Sequence, residues 1–266
     1  MQIDRTWDRL KALLSEMKCA VLAYSGGVDS SLLLRAAAEV LGPNLIVVTA
    51  VSPTYPPGEL EQAKSFARSL GVRHRVIESL ELEQETFLRN DRDRCYHCKQ
   101  ELFGKLKTLA NIEGIDIILD GTNTDDGRDY RPGTRAAREF GVRSPLAEVG
   151  MSKQDVRDLA HRLGLAVWNK PSLACLSSRI PYGTRITTDL LDRVQAAEDV
   201  VRGLGAAQVR VRHHGDTARI EISPDEFSLL TTGDAPSRIS RALKSLGYTY
   251  VCLDLDGYRT GSMNEV

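Results

Sequence analysis

The feature that most constrains the fold is a short glycine-rich segment, Ser25-Gly26-Gly27-Val28-Asp29-Ser30, which joins an apolar run to an amphipathic one. The run before it, Cys19 to Tyr24, has the composition of a buried strand, and the run after it, Ser30 to Leu41, has the periodicity of a helix. At such a junction, backbone N–H groups and the helix dipole attract anions, and glycines let the backbone approach a phosphate. The two serines add hydroxyl donors, and Asp29 can hold Mg²⁺ against phosphates. The segment therefore predicts a nucleotide-phosphate loop, with an ordinary glycine-rich turn as the alternative.

Strand-like and helix-like runs alternate through the first half of the chain, which is typical of a parallel sheet built from βαβ units. The other predicted strands and helices of this half are Leu45 to Val51, Glu59 to Leu70, Val72 to Ile77, Cys95 to about Ala110, Asp116 to Asp120 and Ser152 to Leu163. The second half has a different pattern: helix Thr188 to Leu204, strands Ala207 to Arg212 and Thr217 to Ile222, helix Pro236 to Leu246 and strand Tyr248 to Leu255. We expect an α/β domain over residues 1–180 and a smaller α+β domain over residues 181–266.

Composition limits the class of protein. With 42% hydrophobic and 27% charged residues, the 266-residue chain is typical of a globular protein. The formal net charge of -1 argues against a surface devoted to nucleic acid. No apolar run approaches the roughly 18 to 20 residues of a membrane helix, and Met1 to Leu10 carries charges where a signal peptide would be apolar. We therefore expect a cytoplasmic protein that binds neither membranes nor nucleic acid.

Three of the five cysteines have polar neighbours and an informative spacing. Cys95 and Cys98 are three residues apart at the start of a predicted helix, and Cys175 lies in a segment rich in Pro, Ser and Gly. Three thiolates can hold three irons of a cubane cluster and leave the fourth iron open. The alternatives are zinc with histidine or water as fourth ligand, a redox-active disulfide between Cys95 and Cys98, and buried apolar thiols. The other two cysteines are expected to pack in strands: Cys19 and Cys252.

A group of arginines is the candidate anion site. Arg210 and Arg212 alternate along a predicted strand and so project to one face, and Ser178-Arg179 follows the last of the three cysteines. Guanidinium groups bind carboxylates and phosphates in bidentate fashion, whereas a solvated surface is the plainer interpretation. Glu198, on the predicted helix, is by composition alone most typical of a surface carboxylate.

A second polar loop, Gly121-Thr122-Asn123-Thr124-Asp125-Asp126, follows the strand Asp116 to Asp120. Together with the first loop it resembles the N-type ATP pyrophosphatases (PP-loop enzymes), which adenylate a carboxylate or carbonyl oxygen and release pyrophosphate. The resemblance implies an adenine nucleotide alpha hydrolase-like fold that binds ATP and Mg²⁺, with Gly121, Thr122 and Asp125 on the nucleotide side. Both loops follow sheet strands and can face one crevice. A capped turn would also explain the two aspartates.

Motifs along nearly the whole chain resemble the LarE family of ATP-dependent sulfur transferases: Asp93-Arg94-Cys95, Arg131-Pro132-Gly133, Pro171 to Gly183 and Arg210 to Gly215. This resemblance implies adenylation of the carboxylates of pyridinium-3,5-biscarboxylic acid mononucleotide, release of AMP and pyrophosphate, and formation of thiocarboxylates. Such chemistry belongs to nickel-pincer nucleotide biosynthesis and lactate racemase maturation. In some members a cysteine corresponding to Cys175 gives up its own sulfur. The pair Cys95 and Cys98 instead resembles the three-cysteine branch, in which a 4Fe–4S cluster carries an extra sulfide.

The resemblance also implies individual roles. Catalysis is assigned to Cys175, Asp29, Arg210 and Arg212; substrate binding to Ser178, Arg179, Arg210 and Arg212; the 4Fe–4S cluster to Cys95, Cys98 and Cys175; and a divalent metal to Glu198. The expected partners are a small nucleotide substrate, an unidentified sulfur donor and further copies of the chain.

Three rival functions use the same loop. A PP-loop tRNA thiolase also combines it with a three-cysteine cluster, but needs a basic surface for tRNA. An ammonia-dependent adenylating ligase leaves the three cysteines without a role. A non-catalytic sensor would bind ATP without releasing pyrophosphate.

Overall fold

The computed structural model describes residues 2–55, 58–127, 132–171, 175–259 and 262–264. The chain forms two compact units. The first consists of Met1–Ser52, Pro57–Phe87 and Arg92–Ser172, and the second of Pro53–Pro56, Leu88–Asp91 and Leu173–Val266. None of the described helices is both long enough and apolar enough to cross a membrane.

The first unit is built on a four-stranded parallel sheet with the order β3-β2-β1-β4, which confirms the predicted parallel α/β architecture. Its strands are β1 (Ala20–Ala23), β2 (Leu45–Val51), β3 (Arg73–Glu78) and β4 (Ile118–Leu119). The central strands are almost wholly apolar and buried, as expected for a sheet with helices on both faces.

Helices cover both faces of this sheet. They are α1 (Gln2–Ser15), α2 (Val28–Leu41), α3 (Glu59–Ser69), α4 (Glu85–Leu88), α5 (Arg94–Glu113), α6 (Pro132–Glu139), α7 (Pro145–Glu148) and α8 (Lys153–Arg162). Side chains of α1, α2, α3 and α8 pack in one core with Leu22, and side chains of α5 and α6 pack in another with Val21. Adjacent strand residues point to opposite faces, so β1 contributes to both cores.

The second unit has a three-stranded sheet with the order β5-β6-β7, in which β5 and β6 are antiparallel and β6 and β7 are parallel. Its strands are β5 (Arg210–His214), β6 (Thr217–Glu221) and β7 (Tyr250–Leu253), and its helices are α9 (Thr188–Arg202), α10 (Ser228–Thr231) and α11 (Ala235–Ser245). Apolar residues of α9, α11 and the sheet form one core, including Val201, Val211 and Leu243. The unit is a small α+β fold, as predicted.

The prediction that Cys252 packs in the interior is wrong. Cys252 is exposed on β7, and Tyr250, two residues earlier on the same strand, is also exposed. β7 is an edge strand of the sheet, and alternate residues of a strand share one face. Cys19 is half-buried and contacts the core that contains Val21, as expected.

Candidate functional site

The strand order brings the two polar loops of the first unit to neighbouring positions. From β1 the chain continues to β2 and β3 on one side of the sheet, whereas β4 pairs with the other side of β1. The loops that follow β1 and β4 leave the sheet at its carboxyl edge, on either side of the point where the strand order reverses. In open α/β sheets this is where ligands bind.

The first loop presents the N-terminus of α2. Gly26 has a left-handed backbone (φ 75°), and Gly27 is extended (φ -77°, ψ 164°) immediately before the helix. No described side chain caps the first-turn amides of α2, so these donors are suited to an anion. The hydroxyls of Ser25 and Ser30 lie 3.1 Å apart, and Ser30 Oγ donates to the Gly27 carbonyl at 3.1 Å. Val28 is buried in the core, which fixes the start of the helix.

Gly121 brings the second loop against the first. A Cβ atom at this position would lie 2.8 Å from the backbone nitrogen of Ser30 and 3.2 Å from the carbonyl carbon of Asp29. Only glycine allows the two backbones to approach this closely. The sequence predicted that both loops face one crevice, and in the structure they are in direct contact.

Asp29 projects from the first turn of α2 toward two residues that sequence reasoning missed. Asn123 Nδ2 donates to Asp29 Oδ1 at 3.0 Å, and Lys153 Nζ forms an ion pair with Asp29 Oδ2. Lys153 is the first residue of α8, directly after the N-cap Ser152. The N-cap was visible in the sequence, but nothing local in the sequence connected α8 with a loop more than a hundred residues earlier.

Hydrogen bonds within the second loop fix its shape. The carboxylate of Asp120, which is buried, accepts bonds from the Thr122 amide at 3.2 Å, from the Thr122 hydroxyl at 2.8 Å and from the Ser144 hydroxyl at 2.7 Å. Thr122 is therefore held in one orientation beside the phosphate loop.

The two aspartates at the end of this loop also make backbone contacts. Asp126 Oδ2 accepts from the Asn123 amide at 3.0 Å, and Asp125 Oδ2 accepts from the Lys153 amide at 2.8 Å. Asp125 thus anchors the loop to the start of α8. Its assignment to the nucleotide site stays a prediction.

Cys95 and Cys98 lie in the first turns of α5, which begins at Arg94, one residue before the predicted start at Cys95. Positions three apart on a helix share a face. Cys95 is exposed, Cys98 is half-buried, and Arg94 Nη2 lies 4.0 Å from Cys95 Sγ. Gly133 of α6 approaches this turn, since a Cβ there would lie 3.6 Å from the Cys95 carbonyl oxygen. Arg131, the first residue of the motif Arg131-Pro132-Gly133, is outside the described residues.

Cys175 lies in the second unit, directly before a short 3₁₀ turn, Leu176–Arg179. Its side chain is exposed, with Sγ 2.7 Å from the hydroxyl of Ser177. The turn is held by Arg179 Nη1, which donates to the Cys175 carbonyl and to Ser178 Oγ, both at 3.0 Å. Residues 172–174, part of the predicted Pro171 to Gly183 motif, are outside the described residues. Within the described parts of the chain, no three His, Cys, Asp or Glu side chains converge as a metal site.

Buried ion pairs surround this turn. Arg179 and Glu198 are 2% and 0% exposed, and they pair through Nε–Oε1 at 2.7 Å and Nη2–Oε2 at 3.2 Å. Burial pushes the pKa of Glu198 upward, but the guanidinium groups of Arg179, Arg202 and Arg210 outweigh burial and hold the pKa below its ordinary value. The carboxylate also accepts from the Val211 amide at 3.2 Å. Metal binding by Glu198 would require these partners to release it, and its role as a ligand stays a prediction.

Arg210 and Arg212 on β5 are buried rather than solvated. Arg212 donates through Nε and Nη2 to Glu221 Oε2 at 3.0 and 2.8 Å, and through Nη1 to the Ser178 carbonyl at 3.1 Å. The pKa of Arg210 is lowered to about 10, mainly because the side chain is buried and secondly because the positive charge of Arg179 is nearby. The turn after Cys175 thus contains one buried guanidinium group and contacts a second, and each of the two is paired with a buried carboxylate.

The chain is similar to one family model and to several known proteins. A family model for asparagine synthase matches residues 15–110, which include the phosphate loop, Cys95 and Cys98. The chain is 44% identical to an uncharacterized protein of Synechocystis, over 99% of this chain and 98% of that protein. It is 28% identical to a tRNA-specific 2-thiouridylase of Nitrobacter winogradskyi over 56% of this chain and 47% of that enzyme. It is 41% identical to the pyridinium-3,5-bisthiocarboxylic acid mononucleotide synthase of Lactiplantibacillus plantarum, over 96% of this chain and 92% of that enzyme. On this near full-length similarity, the chain belongs to the LarE family of ATP-dependent sulfur transferases, within the PP-loop superfamily.

Proposed function

We propose that this chain adenylates the carboxylates of pyridinium-3,5-biscarboxylic acid mononucleotide and converts them to thiocarboxylates for a nickel-pincer nucleotide cofactor. The observation that carries the proposal is the close approach of Gly121 to the Ser30 backbone, because it brings the two polar loops together beside Asp29. The product named for the Lactiplantibacillus relative is the source of the substrate assignment.

In the first step, the α2 amides and the hydroxyls of Ser25 and Ser30 bind the phosphates of ATP. Asp29 fits a Mg²⁺ site, since Mg²⁺ commonly uses one or two carboxylates together with substrate phosphates. A substrate carboxylate oxygen attacks the α-phosphorus, the bond to the bridging oxygen breaks, and pyrophosphate leaves with the negative charge. The amides of α2 are already oriented toward the phosphates. They can therefore stabilise the charge on the leaving pyrophosphate, and so lower the activation barrier, without having to move during the reaction.

In the second step, sulfur attacks the acyl carbon of the adenylate, a C–S bond forms, and AMP leaves. We propose Cys95, Cys98 and Cys175 as the residues that would hold a 4Fe–4S cluster; Cys95 and Cys98 share a face of α5, and each of the three thiols is at least partly accessible. When bound, such a cluster supplies an iron without a cysteine ligand, where an exchangeable sulfide can be held.

We assign nucleotide activation to the first unit and substrate binding to the second. Arg179, Arg210 and Arg212 are buried, and we assign them, with Ser178, to the phosphate or carboxylates of the mononucleotide. To bind such an anion, Arg179 and Arg212 would exchange bonds that they now make to Glu198 and Glu221. We further propose that the enzyme acts in the cytoplasm and that it is a homo-oligomer. Sedimentation of the purified chain would test the oligomeric state.

The test of adenylation is pyrophosphate release from Mg·ATP and the biscarboxylate substrate. Asp29→Asn should reduce release at least a hundredfold, on the order of the loss of a transition-state charge contact. Asp189→Asn is the matched control, since Asp189 occupies the first turn of α9 as Asp29 does that of α2. Unimpaired release by Asp29→Asn would contradict the assignment.

The test of the sulfur source is iron and acid-labile sulfide content after anaerobic purification. About four irons per chain are expected, with loss in Cys95→Ala. Loss of one sulfur from Cys175 after turnover, without iron, would instead support a sacrificial thiol. Binding of tRNA that weakens steeply with salt would favour a tRNA thiolase, and release of pyrophosphate only with ammonia would favour a ligase.

A further inference from the structure

The buried carboxylate of Glu198 is shared between two arginines that differ in exposure. Arg179 donates to both of its oxygens, and Arg202 Nη2 forms an ion pair with Oε2. The Arg179 side chain is 2% exposed, whereas that of Arg202 is 36% exposed. Arg202 follows Glu198 by four residues on α9, and residues four apart share one face of a helix. The helix that carries the carboxylate therefore also supplies a second, outer guanidinium group for it.

The same arrangement occurs at Glu221, where it is built from strands. Arg212 donates to Glu221 Oε2 at 3.0 and 2.8 Å, and Arg219 Nη2 donates to Oε1 at 3.0 Å. The inner arginine is 6% exposed and the outer one, Arg219, is 30% exposed. Arg219 precedes Glu221 by two residues on β6, so both side chains lie on one face of the sheet, and Arg219 is directly opposite Arg212 on β5. Like charges directly opposite each other destabilise a strand pair, so the outer arginine has a cost that one ion pair with Glu221 would not require.

The outer arginines solve a problem that the proposed function creates. To bind a substrate anion, Arg179 and Arg212 must release the bonds that they make to Glu198 and Glu221. In an isolated buried pair, this exchange would leave a carboxylate in the interior without a cation, which is strongly unfavourable. A second guanidinium group that stays in place removes this penalty, so that the inner arginine can turn to the substrate.

We propose that Arg202 and Arg219 are positioning residues: each neutralises a buried carboxylate while the inner arginine binds an anionic group of the substrate. The inference rests on the proposed function, which it deepens, and the outer arginines themselves do not touch the substrate. Arg219 has a donor to spare for this role. Its Nε is buried, lies 3.5 Å from Asp254 Oδ2 and makes no hydrogen bond within the described part of the chain, so it can donate to the Glu221 oxygen that Arg212 releases.

The test is the dissociation constant of the biscarboxylate mononucleotide, measured by calorimetry on the full chain. Arg219→Met should weaken binding roughly tenfold or more with an unchanged circular dichroism spectrum, because Arg212 then has to stay with Glu221. Arg219→Lys keeps the positive charge and should retain most of the affinity. Arg238→Met is the matched control: Arg238 also pairs with a carboxylate, but that of Asp234 is 80% exposed and needs no compensation. Its affinity should equal that of the wild type.

A second arm separates charge compensation from packing. In a Glu221→Gln background the neutral side chain needs no counter-ion, so Arg219→Met should change the affinity by less than about twofold. Equal losses in both backgrounds, or wild-type affinity of Arg219→Met, would overturn the inference. If Glu221→Gln does not fold, the first arm decides alone, and equal losses in Arg219→Met and Arg219→Lys would overturn it. Failure of the wild type to bind the mononucleotide would instead overturn the proposed function, on which the inference rests.

Discussion

The side chains near Cys175 form two buried ion pairs. Arg179 pairs with Glu198 and Arg212 pairs with Glu221, and both carboxylates are fully buried. Such a pair adds little net stability, because desolvation offsets the attraction, but removal of one partner leaves an uncompensated charge in the interior. These pairs fix the positions of the guanidinium groups but add little to the free energy of unfolding. Because loss of one partner would leave a buried charge unpaired, we expect single substitutions here to be strongly destabilising.

Glu198→Gln should therefore lower the free energy of unfolding by about 3 kcal/mol or more, since it leaves the Arg179 charge without its carboxylate. Urea unfolding measures the change. Asp199→Asn is the control: Asp199 is the next residue and also pairs with Arg202, but its side chain is 59% exposed, so the loss should stay below about 1 kcal/mol. Equal losses in the two variants would contradict the account.

The pH dependence of stability should change in the same variant. The folded-state pKa of Glu198 lies below its ordinary value of 4.5, so the unfolded chain binds the proton more readily. The stabilisation from this carboxylate is complete above the unfolded pKa and is lost as pH falls toward the folded pKa. Between about pH 6 and 3, the free energy of unfolding should fall less steeply in Glu198→Gln than in Asp199→Asn. Parallel curves would show that this carboxylate keeps an ordinary pKa.

Sequence reasoning reached some residues of the nucleotide site and missed others for a physical reason. The phosphate loop is visible because the backbone itself requires glycine at a strand-to-helix junction, as the left-handed Gly26 shows. Lys153 and Asn123 are ordinary residue types in ordinary local settings. Their contact with Asp29 exists only once α8 and the loop after β4 are placed by the sheet.

Among the helices and strands, the best-predicted ones are those whose own sequence pattern already shows which residues are buried. β2 matches the predicted Leu45 to Val51, because an apolar β-branched run fits a central parallel strand. β4 is shorter than predicted, since the Asp120 carboxylate accepts from Thr122 and turns the chain into the loop. β5 begins at Arg210 rather than Ala207, where pairing with Glu221 of β6 starts. The sequence patterns do not predict α1, α4, α6, α7 or α10.

The contact between the two loops gives a prediction for Gly121→Ala. The added Cβ would lie 2.8 Å from the Ser30 nitrogen, so the loop after β4 must move away from α2. ATP affinity should fall at least tenfold, by titration calorimetry, while the helical circular dichroism spectrum is retained. Gly104→Ala is the control, since its Cβ would meet nothing closer than 3.9 Å and alanine favours a helix by about 0.5–1 kcal/mol. Unchanged ATP affinity in Gly121→Ala would mean that the loops need not touch.

At the scale of the whole molecule, the division into units does not follow the order of the chain. Pro53–Pro56 and Leu88–Asp91 belong to the second unit although they lie within the first half of the sequence. Local periodicity cannot reveal this, because such short segments have no pattern of their own and are placed by distant partners. The boundary near residue 180 therefore stays a prediction, as does the assignment of one function to each unit.

Asn90 is the residue that attaches one of these segments. It is fully buried with a left-handed backbone (φ 53°), and its Nδ2 donates to the carbonyls of Pro181 and Thr184 at 2.8 and 2.9 Å. The Gly183 amide in turn donates to the Asn90 carbonyl at 2.9 Å. These bonds hold the segment that directly follows Arg179, so a side chain in the first half of the sequence fixes the backbone next to the arginine site.

Asn90→Gly should consequently destabilise the protein by about 1–3 kcal/mol in urea unfolding, because buried carbonyls lose their donor while glycine keeps the left-handed backbone. Lys18→Gly separates the two effects. Lys18 also has a left-handed backbone (φ 63°) but is exposed, so glycine there should be neutral or stabilise by up to about 1 kcal/mol. If both variants were stabilised alike, backbone strain alone would explain Asn90, and its side-chain bonds would not hold the segment after Arg179.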